Sequence, residues 1–227
     1  MKKLCLILAA VIMLGLSGCA SEEPSQTAEK PVIYLYPEQG GTDASEEKPA
    51  IYLNPEQACK VTVKLNYDGE LICTYPEYHD GWTVMARPDG VLMDESGREY
   101  NYLFWEGVSE ADYDMSRGFV VAGEDTAVFL EEKLVELGLN DREAGDFITY
   151  WLPRMQGNTY NLVTFQTDAY TERAELDITP EPDSMLRVFM VYKPLEEPIS
   201  VEEPELPGFQ RRGFTVIEWG GMEWTKG

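Results

Sequence analysis

The chain has 227 residues, 18 basic and 41 acidic side chains, a net charge of −23 and an apolar share of 44%. That share supports a buried core in one domain or two small ones. The acidic excess argues against nucleic acid, and against an anionic membrane surface as partner of the folded part, because Lys and Arg carry both kinds of binding. One histidine in the whole chain excludes a site needing two imidazoles.

The chain opens with Met1-Lys2-Lys3, a positive n-region, followed by an apolar run from Leu4 to Leu16. Thirteen residues are too few to span a bilayer core, which takes about 20, but they fit the h-region of a secretory signal. The Leu16-Ser-Gly-Cys19 that follows resembles a bacterial lipobox. It implies cleavage before Cys19 and attachment of a diacylglyceryl group to its thiol, with palmitate-type acyl chains as the membrane contact. Residues 1–18 are thus read as a lipoprotein signal peptide, and the protein as a lipid-anchored one on the extracytoplasmic face of a bacterial cell membrane.

Residues 19–47 are rich in Ser, Glu, Pro, Gly and Gln and read as a lipidated acidic tether. Within them, Glu29-Lys-Pro-Val-Ile-Tyr-Leu-Tyr-Pro-Glu-Gln39 recurs as Glu47-Lys-Pro-Ala-Ile-Tyr-Leu-Asn-Pro-Glu-Gln57, with differences only at Val32/Ala50 and Tyr36/Asn54. Each copy is a short β-prone segment bracketed by prolines. The second runs straight into further strand signals and is expected to be the domain's own strand. The first (29–39) is a spare of similar shape, either a neutral duplication or a segment for strand competition or donation, displacing the second copy or pairing with a neighbouring molecule's sheet.

Residues 48–227 read as a single α+β domain, mainly antiparallel sheet with a helical hairpin inserted at about 125–152. Val61–Leu65 and Leu71–Tyr75 flank Asn66-Tyr-Asp-Gly69 and predict a β-hairpin. That pairing would set Cys73 opposite Lys64 and leave Cys59 about 16 Å away, at roughly 3.3 Å per residue, too far for a disulfide unless Cys59 folds back. Strands are predicted at Trp82–Ala86 and Tyr100–Trp105, as a meander. Ala127, Leu130, Leu134 and Leu137 then take helical spacing, with Asp125 as N-cap and Gly138 as the stop. Asn140-Asp-Arg-Glu143 predicts a capping box for a second helix ended by Pro153. Strands at 160–166, 174–178, 186–192 and 213–219 follow, with an acidic extended connector of four prolines and five glutamates at 194–208.

Two strand ends place a carboxylate beside Trp and Gly: Trp105-Glu106-Gly107 and Glu218-Trp219-Gly220. Glu106 and Glu218 are the candidate catalytic pair for a glycan-directed hydrolase, which needs two carboxyls about 5 to 9.5 Å apart. Alternation along a strand also allows each Glu to face away from its Trp neighbour. Trp82, Tyr102, Trp105 and Trp219, with Arg187 and Arg87 as donors, are the candidate platform for an envelope glycan or peptide ligand. His79 reads as a surface turn residue. Glu110-Ala-Asp-Tyr-Asp114 alternates oxygens but has Met115 where a calcium loop needs Gly, and it reads as a solvated acidic loop. No metal or cofactor is assigned.

Lys48–Pro55, Thr74-Tyr-Pro76, Gly81–Gly90, Tyr102-Leu-Phe-Trp-Glu-Gly107, Tyr150–Met155, Arg187–Pro194 and Gly213-Phe-Thr-Val-Ile-Glu-Trp-Gly-Gly221 together resemble a family of uncharacterised bacterial secreted proteins and lipoproteins. Members commonly open with Lys-Pro-Val-Ile-Tyr-Leu-Tyr-Pro, which the first copy at Lys30–Pro37 matches better than the second, so the resemblance leaves open which copy occupies the native strand. The resemblance implies one domain and brings no catalytic residues. Three functions are therefore open: a lipid-anchored binding or structural module, a hydrolase using Glu106 and Glu218, or self-association by strand donation from 29–39.

Overall fold

Strand β1 (Glu47–Asn54) is the second copy of the repeat, and it lies inside a sheet rather than at an edge. It runs antiparallel to β7 (Leu103–Val108) on one side and to β12 (Thr215–Glu223) on the other. Ala50, Ile51, Tyr52 and Leu53 are all buried, the continuous apolar run of a strand covered on both faces. The computed structural model describes residues 47–109 and 111–225, all within one unit, Thr42–Gly227. The signal segment, Cys19, the tether up to residue 46 and the first repeat copy lie outside the described residues.

Two further strands complete one flank of this sheet: β11 (Ser184–Leu195), parallel to β12, and β9 (Tyr160–Phe165), antiparallel to β11. With β3 (Glu70–Tyr75) and β8 (Phe119–Ala122) at its edges, the order is β3-β7-β1-β12-β11-β9-β8. A second sheet has the order β10-β2-β4-β5-β6, built from β2 (Cys59–Tyr67), β4 (Trp82–Ala86), β5 (Leu92–Met93), β6 (Glu99–Tyr100) and β10 (Ala174–Thr179). Among the described residues the protein is thus mostly β, in two largely antiparallel sheets with a few short helices. The β11–β12 pair is the parallel exception. Such a pair needs a long crossover, and residues 196–214 supply it. Arg117 pairs with Glu202 at 2.6 Å and Gly118 N donates to Glu202 O, which pins that acidic connector.

Each face of the larger sheet has its own core. Ile51, Leu53, Leu103, Trp105, Phe189 and Val191 pack against Val61, Val63, Trp82 and Val84 of the smaller sheet. On the opposite face, Ala50, Val188, Met190, Ile217 and Trp219 pack against Leu130, Leu134, Phe147 and Trp151. The latter belong to α1 (Thr126–Leu137) and α2 (Asp141–Met155).

Local signals explain the helix ends. Gly138 takes φ 106°, a left-handed conformation that glycine accepts without steric cost. Leu139 N donates to Leu134 O and Gly138 N to Val135 O, the Schellman arrangement. Asn140 Oδ1 accepts from Arg142 N and Glu143 N while Glu143 Oε2 accepts from Asn140 N, completing the capping box. Glu143 is also held by Arg211, whose Nη1 donates to Oε1 at 2.9 Å and whose Nη2 donates to Oε2. The box is thereby tied to the far end of the connector.

Four local expectations are corrected. First, β2 and β3 do not form a hairpin: β2 lies between β10 and β4, so both its edges are taken, and β3 crosses to pair with β7. Cys73 accordingly faces Glu106 and Cys59 faces Ala86, and no disulfide joins the two cysteines. Second, the Tyr100–Trp105 strand is divided, Tyr100 ending β6 in one sheet and Leu103 starting β7 in the other. Third, α2 continues through Pro153 to Met155. A proline so near the C-terminus removes one bond, and Gln156 N still donates to Leu152 O while Arg154 Nη1 donates to Tyr150 O. Fourth, Asp125 makes no side-chain cap; a 3-10 turn at Gly123–Asp125 leads into α1 instead.

Asn140→Ala should therefore lower stability by about 1 kcal/mol, with an unchanged denaturant slope in urea unfolding. Asp125→Ala, which removes no capping bond, should stay within about 0.5 kcal/mol of the parent.

Candidate functional site

The polar centre of the larger sheet is built on its parallel pair, where Arg187 of β11 and Glu218 of β12 stand directly in register. Register carries the same row through Ile51 to Leu103, all on the face that meets the smaller sheet. The Glu218 carboxylate has no exposed surface and the Arg187 side chain is 6% exposed. Arg187 Nε donates to Glu218 Oε2. Oε1 accepts from Tyr170 OH at 3.1 Å and lies 3.4 Å from Trp105 Nε1.

Tyr170 reaches this centre from α3 (Thr167–Thr171), a short helix between β9 and β10. Its ring stacks on Phe189 at 4.1 Å and lies nearly parallel to Trp105 at 6.4 Å. The Arg187 guanidinium sits 4.8 Å from the centre of the same ring. Burial, and next the Glu218 charge, push the Tyr170 hydroxyl well above its ordinary range, so it stays a proton donor to the carboxylate. Burial works against the Arg187 cation, but the charge of Glu218 and the Tyr170 hydroxyl outweigh it and hold the guanidinium above its ordinary value.

Glu106 does not join Glu218. It neighbours Trp105 on β7, and Trp105 points to the face where Glu218 lies, so alternation puts Glu106 on the opposite face of the sheet. The two carboxylates are separated by the sheet itself, and Glu218 is occupied by Arg187, Tyr170 and Trp105. The arrangement needed for two-carboxylate glycoside hydrolysis is not the one these strands make.

The expected aromatic platform is likewise divided between the two cores. Trp82 is buried between the sheets, with Nε1 donating to Pro76 O at 2.7 Å and its ring edge-on to Tyr78. Trp105 and Arg187 share that layer. Trp219 lies on the helix side, edge-on to Phe147 at 5.2 Å, and half-buried Tyr102 packs on Tyr52 at 5.4 Å. Tyr52 OH donates to Asp146 Oδ2 at 2.9 Å, and burial followed by the Asp146 charge raises this hydroxyl far above its ordinary range. Sequence reasoning missed Tyr170, Tyr52 and Asp146 as polar anchors. Tyr170 sits in a five-residue helix that leaves no periodic signal, and Tyr52 looks like any strand tyrosine.

On the surface, Arg87 pairs with Asp89 at 2.6 Å and with Glu99 at 2.7 Å. His79 is exposed. Asp112 and Asp114 are exposed, and the Ser116 hydroxyl, followed by the Ser116 N–H that donates to Asp114, holds the Asp114 carboxyl below the ordinary value. Among the described residues no group of three or more His, Cys, Asp and Glu side chains is placed to hold a metal ion. Two open recesses of about 500 and 510 Å³ run along β10, the edge of the smaller sheet, lined by Lys64, Asn66, Glu175 and Asp177 and by Thr179, Glu181 and Met185.

These features define, among the described residues, a mostly-β protein with two sheets, the α1–α2 pair on one outer face, and a carboxylate–guanidinium pair sealed between the sheets. Over 105 residues the chain is 36% identical to the uncharacterized protein in the bglA 3′ region of Butyrivibrio fibrisolvens, covering 44% of this chain and 91% of that relative. The chain belongs to the same family as that uncharacterized protein. No protein-family model matches the chain, and no solved structure matches it.

A buried ion pair is costly to halve, by about 3–5 kcal/mol, and much cheaper to replace whole. Arg187→Met should therefore destabilise the protein by that amount in urea unfolding. Combining it with Glu218→Leu should restore most of the loss. Equal, additive losses from the two substitutions would instead mean that the pair is not coupled.

Proposed function

We propose that the chain is a lipid-anchored extracytoplasmic module that binds or organises envelope material, in an α+β domain whose α1–α2 pair is the inserted helical hairpin. The observation that carries the anchor is Leu16-Ser-Gly-Cys19 directly behind a positively charged, apolar leader. Two or more acyl chains hold a protein stably where one does not. Among the described residues no helix is long and apolar enough to cross a membrane.

A binding or structural role is favoured over hydrolysis by where the carboxylates and aromatics lie. Glu218 and three of the expected platform residues, Trp82, Trp105 and Trp219, are used inside the fold. The ligand contact then falls on the outer surface, where β10 offers a strand edge beside open recesses. A glycan or an extended peptide of the envelope is the ligand class, and the body's acidic charge keeps it off the anionic membrane surface.

Radiolabelled palmitate should be incorporated into the parent chain and not into Cys19→Ser, which should leave the membrane fraction. Label in Cys19→Ser, or unlabelled precursor in the cytosol, would remove the anchor. Purified protein should be retained on isolated cell-wall material without releasing sugar. Measured glycoside turnover together with no retention would overturn the module in favour of an enzyme.

A further inference from the structure

The slot between β7 and β12 is filled by β1, and the chain contains a near-copy of that strand, differing at two positions. We propose that the slot between β7 and β12 accepts residues 30–37 of the same chain in place of residues 48–55, as a strand exchange over the 18-residue offset of the repeat.

The contacts that define the slot are ones both copies can make. Ile51 and Leu53 are fully buried in the core between the sheets, and Ile33 and Leu35 are their equivalents. Tyr52, whose hydroxyl donates to Asp146, corresponds to Tyr34. Pro49 lies against Gly220 so closely that a Cβ there would stand 3.2–3.3 Å from its ring and backbone, and Pro31 repeats that proline. The remaining contacts are backbone ladders to β12 and β7, which any non-proline residue supplies.

Both differences fall at even positions of the strand, on the helix-facing side with Tyr52. Val32 would add bulk where Ala50 packs between Phe104 and Trp219 in register, which favours the second copy. Tyr36 would replace Asn54, whose buried Nδ2 has no hydrogen-bond partner among the described residues, which favours the first. The side facing the smaller sheet is unchanged. Exchange lengthens the link to β2 from the four residues Pro55–Ala58 to residues 37–58. The cost of closing a flexible loop rises only with the logarithm of its length, and a same-chain occupant needs no second molecule.

The test uses the full chain carrying Cys19→Ser, so it stands independently of the anchor. In that background Ile51→Asp with Leu53→Asp disables the second copy, and Ile33→Asp with Leu35→Asp disables the first. If the slot takes either copy, the variant lacking only the second should still unfold cooperatively, with a Tm lowered by no more than about 10 °C. The chain with all four substitutions should show no cooperative transition. A variant lacking only the second copy that is as unfolded as the fourfold one overturns the proposal. Light scattering should give a monomer mass for the rescued variant. A dimer mass would overturn the same-chain occupant and show exchange between molecules.

Discussion

The inner strands of the larger sheet, β1, β12 and most of β11, are covered on both faces, by the smaller sheet and by the α1–α2 layer, and they have no solvent side on which to place a polar residue. Any charge in its interior must therefore find its partner inside the protein, because an unpaired buried ion costs several kcal/mol. Glu218 lies in the middle of this sheet and its neighbours follow from that constraint. The parallel pairing of β11 with β12 brings Arg187 into its row, and α3 brings Tyr170 above it. Trp105, Phe189 and Tyr67 then close a stack of rings around the pair, with Tyr67 edge-on to Trp105 at 4.8 Å.

The same reasoning explains the uneven use of acidic residues. Most carboxylates are on the surface, where their mutual repulsion is screened by solvent and salt. Those drawn inward each have a dedicated cation or donor. Glu218 has Arg187 and Tyr170, Glu143 has Arg211 and the Asn140 backbone, and Asp146 has the Tyr52 hydroxyl. Two of these contacts link distant parts of the chain: Arg211 joins the end of the acidic connector to the start of α2, and Tyr52 joins the central strand to the middle of that helix. The helix layer is thus held to the sheet by directional bonds as well as by Phe147 and Trp151.

Much of this was legible in the sequence because it depended on local chemistry. The Asn140-Asp-Arg-Glu143 box, the Gly138 stop, and the strands expected at 82–86, 160–166 and 174–178, which fall at 82–86, 160–165 and 174–179, each carry their own punctuation. Two local readings failed, the Asp125 cap and the stop at Pro153, but the larger failures depended on choice of partner. Asn66-Tyr-Asp-Gly69 has the composition of a hairpin turn, but it joins two sheets, because β2 is claimed on both edges by β10 and β4. The Glu106 and Glu218 pair failed for a related reason. Both sit beside a tryptophan, but β12 continues past Trp219 to Glu223, so Glu218 lies inside its strand, and which face each carboxylate shares is set by register across three strands.

The repeat shows how position in the fold changes the meaning of a duplication. A copied edge strand would add one more unpaired edge, and proteins manage such edges with charge, proline or short length. A copied central strand is different, because every side chain of the original is specified by a neighbour, and a duplicate preserving those side chains preserves the whole set of contacts. Nine of eleven positions are kept between 29–39 and 47–57. The kept positions include the proline that seats on Gly220, the two residues facing the smaller sheet and the tyrosine that reaches Asp146. One change adds volume where the slot is tight, and the other removes an amide that the slot leaves unpartnered. Opposed changes of this kind leave the two copies closer in fit than either change alone would. The slot is therefore defined by the fit of each side chain to its neighbours, and not by the composition of the segment around it.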